Sequence, residues 1–216
     1  MVVWDDLQTV IARFAAERPR PLTRWPDPRT AGGEPPFEIG LAAWATDVAG
    51  QLYRQFGEDV ELTVGALRYP QRSLSSEWLP PRDAPARQLD SSEAAVAVDG
   101  PLSVRSGHST HHGLLISNCA SHPFRVDTSG ELIADVVDPG TGAIVGGHSG
   151  PVFAMLKIFD AAPGTTVRIP LLVGTDSFVP DLGYAVPPGT WGIQVTLAPA
   201  AGHPGRSPVF PLTITS

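Results

Sequence analysis

The sequence predicts a small α+β region at the N-terminal end followed by an all-β sandwich. Two gradients along the chain and one compositional excess lead there. Residues 1–93 hold 10 basic and 14 acidic side chains, whereas the longer stretch 94–216 holds 5 and 8. Four of the five tryptophans precede residue 79. The 22 glycines and 23 prolines lie well above the usual ~12% combined share. In the second half they fall between short apolar runs, at the intervals that strands and tight turns require. The division is drawn as residues 1–69, a connection at 70–93 and a sandwich at 94–216.

In Trp4–Ala16, apolar Trp4, Leu7, Val10, Ile11 and Phe14 recur in steps of three and four, one stripe of a 3.6-residue period. Asp5 and Asp6 sit where the first turn favours carboxylates, and Pro19 ends the helix. Residues 19–36 carry six prolines and Gly32-Gly33 and read as an irregular connection. From Phe37 to Phe56 the positions Leu41, Trp44, Val48, Leu52 and Phe56 line one face, which predicts a second helix closed by Gly57. Val60–Ala66 alternates and reads as a strand. Residues 70–92 carry four further prolines and read as a linker or wrapping arm, with Trp78 and Leu79 as its anchor.

Beyond residue 94 the pattern is of strands. Ala94–Val98, Leu102–Arg105, Gly113–Asn118, Phe124–Val126, Leu132–Val137, Ala143–Val145, Val152–Phe159, Thr166–Val173, Trp191–Leu197 and Val209–Thr215 are short apolar-rich runs. Asp99-Gly100-Pro101, Asp138-Pro139-Gly140 and Pro187-Pro188-Gly189 are among the turns between them. About 120 residues patterned this way suit an immunoglobulin-like sandwich. Trp191 is expected to plug one end of its core.

The totals exclude several classes. A net charge of −7 without a basic stripe argues against a nucleic-acid partner. No stretch approaches 18 consecutive apolar residues, so neither a transmembrane helix nor a membrane partner is expected. Met1-Val2-Val3-Trp4-Asp5-Asp6 lacks the basic start of a signal peptide. Cys119 is the sole cysteine, which suits a reducing compartment, and the expected location is cytoplasmic.

Ala162-Pro163-Gly164-Thr165 and Val186-Pro187-Pro188-Gly189-Thr190-Trp191-Gly192-Ile193-Gln194-Val195 form a paired Pro-Gly arrangement. It resembles bacterial immunoglobulin-like modules, and most of all the intracellular proteinase inhibitor family of Bacillus type. The resemblance covers about 35 residues. It implies an immunoglobulin-like fold and inhibition through a loop such as 174–188.

Five of the six histidines lie between residues 108 and 148. His108, His111 and His112, with Cys119 and His122, offer nitrogen and sulfur ligands suited to zinc or copper. Gly147-His148-Ser149-Gly150-Pro151 approaches a serine-hydrolase elbow, but Pro151 stands where glycine is needed and a strand rather than a helix should follow. Asp138 is expected to cap its own Pro-Gly turn, and Cys119 to be a small buried thiol within a strand. No phosphate-binding glycine motif occurs. Asp176, Phe178, Asp181 and Tyr184 form a loop suited to a partner surface. Trp25 and Trp78 are further exposed candidates. The expected function is therefore non-enzymatic binding of a protein partner through end loops. The alternatives are a metal-binding protein using the histidines and a proteinase inhibitor.

Overall fold

A computed structural model describes residues 4–18, 20–26, 35–71, 87–152, 155–197 and 204–216. The fold is rich in strands, and its apolar side chains gather in two clusters, one drawn from residues 7–64 and the other from residues 94–214.

Helix α1 (Trp4–Glu17) forms as its periodicity predicts and buries Leu7, Ile11 and Phe14. Strand β1 (Leu22–Arg24) follows within the stretch expected to be irregular. The predicted long helix from Phe37 is corrected: Phe37–Leu41 is strand β2, and helix α2 covers only Thr46–Phe56. The reason is visible in Phe37-Glu38-Ile39-Gly40-Leu41, whose apolar side chains alternate and are buried at Phe37, Ile39 and Leu41. Gly57, with φ of 56°, closes α2 by donating its N–H to the Tyr53 carbonyl. Strands β3 (Val60–Val64) and β4 (Leu67–Tyr69) complete a sheet in the order β1-β2-β3-β4. β2 and β3 run parallel with α2 as their crossover.

The second assembly contains β5 (Arg87–Gln88), β6 (Ala94–Val98), β7 (Leu102–Arg105), β8 (Ser109–Asn118), β9 (Phe124–Thr128) and β10 (Leu132–Val137). It continues with β11 (Ile144–Gly147), β12 (Lys157–Ala161), β13 (Thr166–Gly174), β14 (Asp176–Ser177), β15 (Gly189–Leu197), β16 (Gly205–Arg206) and β17 (Phe210–Thr215). Pairing runs from β6 through β8, β13, β10, β15 and β17 to β7. Laid flat, those ends would lie almost 30 Å apart at the usual ~4.8 Å strand spacing. Yet β6 and β7 are joined by Asp99-Gly100-Pro101 alone, which spans at most about 15 Å. The sheet must therefore fold over on itself, and a β-sandwich results. Its interior holds Leu114, Ile116, Val136, Ile169, Leu171, Ile193 and Val195, all but excluded from solvent.

Two further expectations change here. The expected strand Val152–Phe159 begins only at Lys157, where β12 pairs with β9 as a separate two-stranded ribbon. The expected linker at 70–92 is described only at Pro70, Gln71 and from Arg87 onward, so Trp78 and Leu79 lie outside the described residues. Trp191 is half-buried against the sandwich core, its indole N–H donating to the Pro187 carbonyl at 2.9 Å. No described helix is long and apolar enough to cross a membrane.

Candidate functional site

Strand β8 governs what the histidines do. It starts at Ser109, four residues before the expected Gly113, so His111 and His112 belong to a ladder rather than a loop. They stand opposite Leu172 and Leu171 of β13, and consecutive strand residues point to opposite faces. His111 Nε2 lies 3.0 Å from Glu131 Oε2. His108 stacks on Trp44, ring centroids 5.8 Å apart, with its Nδ1 on the Ser106 carbonyl at 2.9 Å. His122 and Cys119 lie in the turn beyond the other end of β8, Cys119 seven residues or about 23 Å of strand beyond His112 and farther still from His111 and His108. The expected zinc or copper ligands are thus not brought together. No three His, Cys, Asp or Glu side chains among the described residues form a metal-binding group. Cys119 is also corrected: it follows β8 rather than lying in it and is exposed.

The Gly147–Gly150 stretch is held by β14. Gly146 and Gly147 pair with Ser177 and Asp176, and Phe178 N–H donates to the Val145 carbonyl at 2.9 Å. A side chain at Gly146 would come within 2.5 Å of the Asp176 carbonyl, so only glycine permits this approach. Buried Ser149 donates both its hydroxyl and its N–H, the latter at 3.1 Å, to Asp176 Oδ2. His148 turns elsewhere: its Nδ1 meets the Ser109 hydroxyl at 3.2 Å, and its buried Nε2 makes no hydrogen bond of full geometry. Acid, imidazole and hydroxyl therefore form two separate pairs rather than one relay.

Burial sets the electrostatics of both groups. It pushes the Asp176 carboxyl up to about 6, against the opposing pull of the two Ser149 bonds. It also lowers the His148 imidazole from its ordinary value, against weaker upward contributions from the Pro151 backbone and Glu131.

The loop expected to present Asp176, Phe178, Asp181 and Tyr184 faces inward for the most part. Asp176 and Phe178 are buried, and Tyr184 stacks on Tyr69 with centroids 5.9 Å apart. Only Asp181 is exposed. Gln71 donates its amide to the Pro180 carbonyl, and Gly65 packs beside Tyr184 and Asp176. Asp176 and Tyr184 lie where the sandwich meets the four-stranded sheet.

No family model matches this chain. No curated protein matches it either. Among solved structures, it is similar to the cupredoxin domain of amoB from Nitrosocaldus yellowstonii, at 12% identity and a TM-score of 0.25. That likeness covers 50% of this chain and 56% of the other. It is also similar to native alpha-2-macroglobulin from Escherichia coli, in the part from domain MG7 to the C-terminus. There the identity is 16%, the TM-score 0.25, and the coverage 56% of this chain and 16% of that one. The chain thus spans about half or less of the structures it matches. They give no support to the proteinase inhibitor family, and the sandwich is defined here by its strand pairing.

Sequence reasoning misses one surface. Val152, Met155, Leu156 and Ile158 are all exposed, Met155 and Leu156 at 65% and 72%. They lead into or lie within β12, whose single described partner is β9. The sequence signal is present in Val152–Phe159, but an apolar run of that length reads equally well as a buried strand.

Proposed function

We propose that this chain is a non-enzymatic protein-binding module whose docking surface is the apolar stretch at Val152, Met155, Leu156 and Ile158. The observation that carries this reading is their exposure beside a strand edge with no described partner. Four large apolar side chains so close in sequence are costly in water, and such patches mark interaction sites on soluble proteins. The open edge of β12 adds backbone donors and acceptors that an extended partner segment can use. Asp181 and Trp25, exposed elsewhere, are isolated and offer no comparable area.

Two coarser features are read in the same way. We read the sandwich as immunoglobulin-like, a reading supported by the short switch from β6 to β7, the two ends of its continuous pairing path. The described residues between 4 and 71 are read as an α+β unit docked on it, supported by their own apolar cluster. A cytoplasmic setting is supported by the exposed thiol of Cys119, which a reducing compartment keeps free.

A photo-crosslinking amino acid placed at Leu156, and separately at Asp181, tests the reading in the host cell. Crosslinks to one identified protein from position 156, and none from 181, are expected. The reverse pattern, or crosslinks from neither, overturns the assignment.

A further inference from the structure

Asp176 is a buried carboxylate at an interface, with the two Ser149 donors as its compensation. It sits where β11, the Ser149 turn, β14 and the Gly65 turn of the four-stranded sheet meet. A Cβ added at Gly65 would lie 3.4 Å from Asp176 Cβ and 3.3 Å from the Tyr184 carbonyl, so the two units approach backbone to backbone here. The segment from Thr175 to Val186 closes on itself at this point. Ser177 N–H donates to Tyr184 O at 3.0 Å, and Val186 N–H to Thr175 O at 2.9 Å.

We propose that Asp176 makes the seating of residues 175–186 against the N-terminal unit depend on pH, held tightest when its carboxyl carries a proton and loosened when it ionises. An ionised carboxylate here receives two donors from Ser149 and gives up its hydration for them. Among the described residues the titratable groups facing it are few. The Ser149 turn contributes His148, which burial keeps neutral and whose ring is engaged by Ser109. The returning segment contributes Tyr184, whose phenol burial pushes up and which stays neutral. From the side of β7 and β8 come Arg105 and His108, both through backbone carbonyls that accept from the Thr175 hydroxyl at 3.0 Å. β11 and the Gly65 turn bring none.

The sign follows from linkage. The seated carboxyl titrates near 6 and the freed one near 3.8, so the seated state binds the extra proton between those values. Seating is therefore strongest in mild acid, weakens as pH rises through about 6, and levels off above it. Between pH 5 and pH 7.5 the opening equilibrium should rise about tenfold.

Amide hydrogen exchange of the full chain, corrected for intrinsic rates, measures this directly. Protection at Ser177 and Val186 is expected to lie below that of Ile116 and Ile169 in β8 and β13 at both pH values, and to fall about tenfold from pH 5 to pH 7.5. In Asp176→Asn the two amides should lose that pH dependence. Equal protection at both pH values in the wild type overturns the proposal, as does protection of the two amides that equals that of Ile116 and Ile169, which would mean that the segment does not open on its own. Should Asp176→Asn fail to fold, carbon-13 titration of the wild-type Asp176 carboxyl decides: a midpoint near 4 overturns the proposal.

Discussion

The described residues of 152–158 and residues 171–178 each carry four large apolar side chains and meet opposite fates. Leu171, Leu172, Val173 and Phe178 are buried, because β13 lies between β8 and β10 and β14 is clamped between β11 and the N-terminal unit. Val152, Met155, Leu156 and Ile158 are exposed, because β12 hydrogen-bonds to β9 alone among the described strands and leaves its other edge open. Four large apolar side chains are common to both. What differs is the number of neighbours that topology supplies, and this is not written in either stretch.

The largest effect that sharpens this contrast is at Phe178. Phe178→Ala should lower unfolding free energy by ~3–5 kcal/mol, as a large buried ring is removed from a packed site. Denaturant titration measures it, and a loss below about 1 kcal/mol would mean that the 174–186 segment is not seated. Next comes Asn118, buried at the end of β8. Its amide donates to the His122 and Ala161 carbonyls, both at 2.8 Å, and its carbonyl accepts from Ala120 N–H at 2.9 Å. It anchors the far end of β12, and Asn118→Ala should cost ~1–3 kcal/mol by leaving those carbonyls unpaired. The same titration reports it, and hydrogen exchange should show the loss concentrated in the β9–β12 ribbon.

A smaller effect is expected from Asp176. Because its folded value is raised, its contribution to stability is fullest below the unfolded value and is lost as pH rises through about 6. Wild type should therefore lose about 1–2 kcal/mol relative to Asp176→Asn between pH 5 and pH 7.5, read from paired denaturation curves. The smallest change belongs to the exposed stretch. Leu156→Ser should alter stability by no more than ~0.5 kcal/mol, since that side chain buries almost nothing in the free protein.

The same contrast shows how far the sequence is readable. Helix α1 is legible because five apolar residues keep a 3.6-residue period, and the turns at Asp138 and Gly164 because their residue types fix backbone geometry. Asp138 Oδ1 indeed accepts from Gly140 N–H at 2.9 Å and Thr141 N–H at 2.8 Å. Strand β2 is hidden because Leu41, Val48, Leu52 and Phe56 also fit a helix, and a parallel partner twenty residues away decides between the two periods. The inward-facing loop is hidden for a similar reason. Asp176, Phe178 and Tyr184 look like surface residues unless Gly65, Tyr69 and Ser149 are known to lie against them. The histidines are separated by the register of β8, which a loop assignment cannot supply.

If the apolar stretch before and within β12 is the docking surface, charge placed there must weaken the complex. The most direct measurement is the affinity of the crosslinked partner, once purified, for wild type and for the double variant Met155→Asp, Leu156→Asp. Titration calorimetry at matched stability should show at least a roughly tenfold loss, since burying two carboxylates in an apolar contact costs several kcal/mol. Unchanged affinity would contradict the docking role and place the partner elsewhere on the molecule.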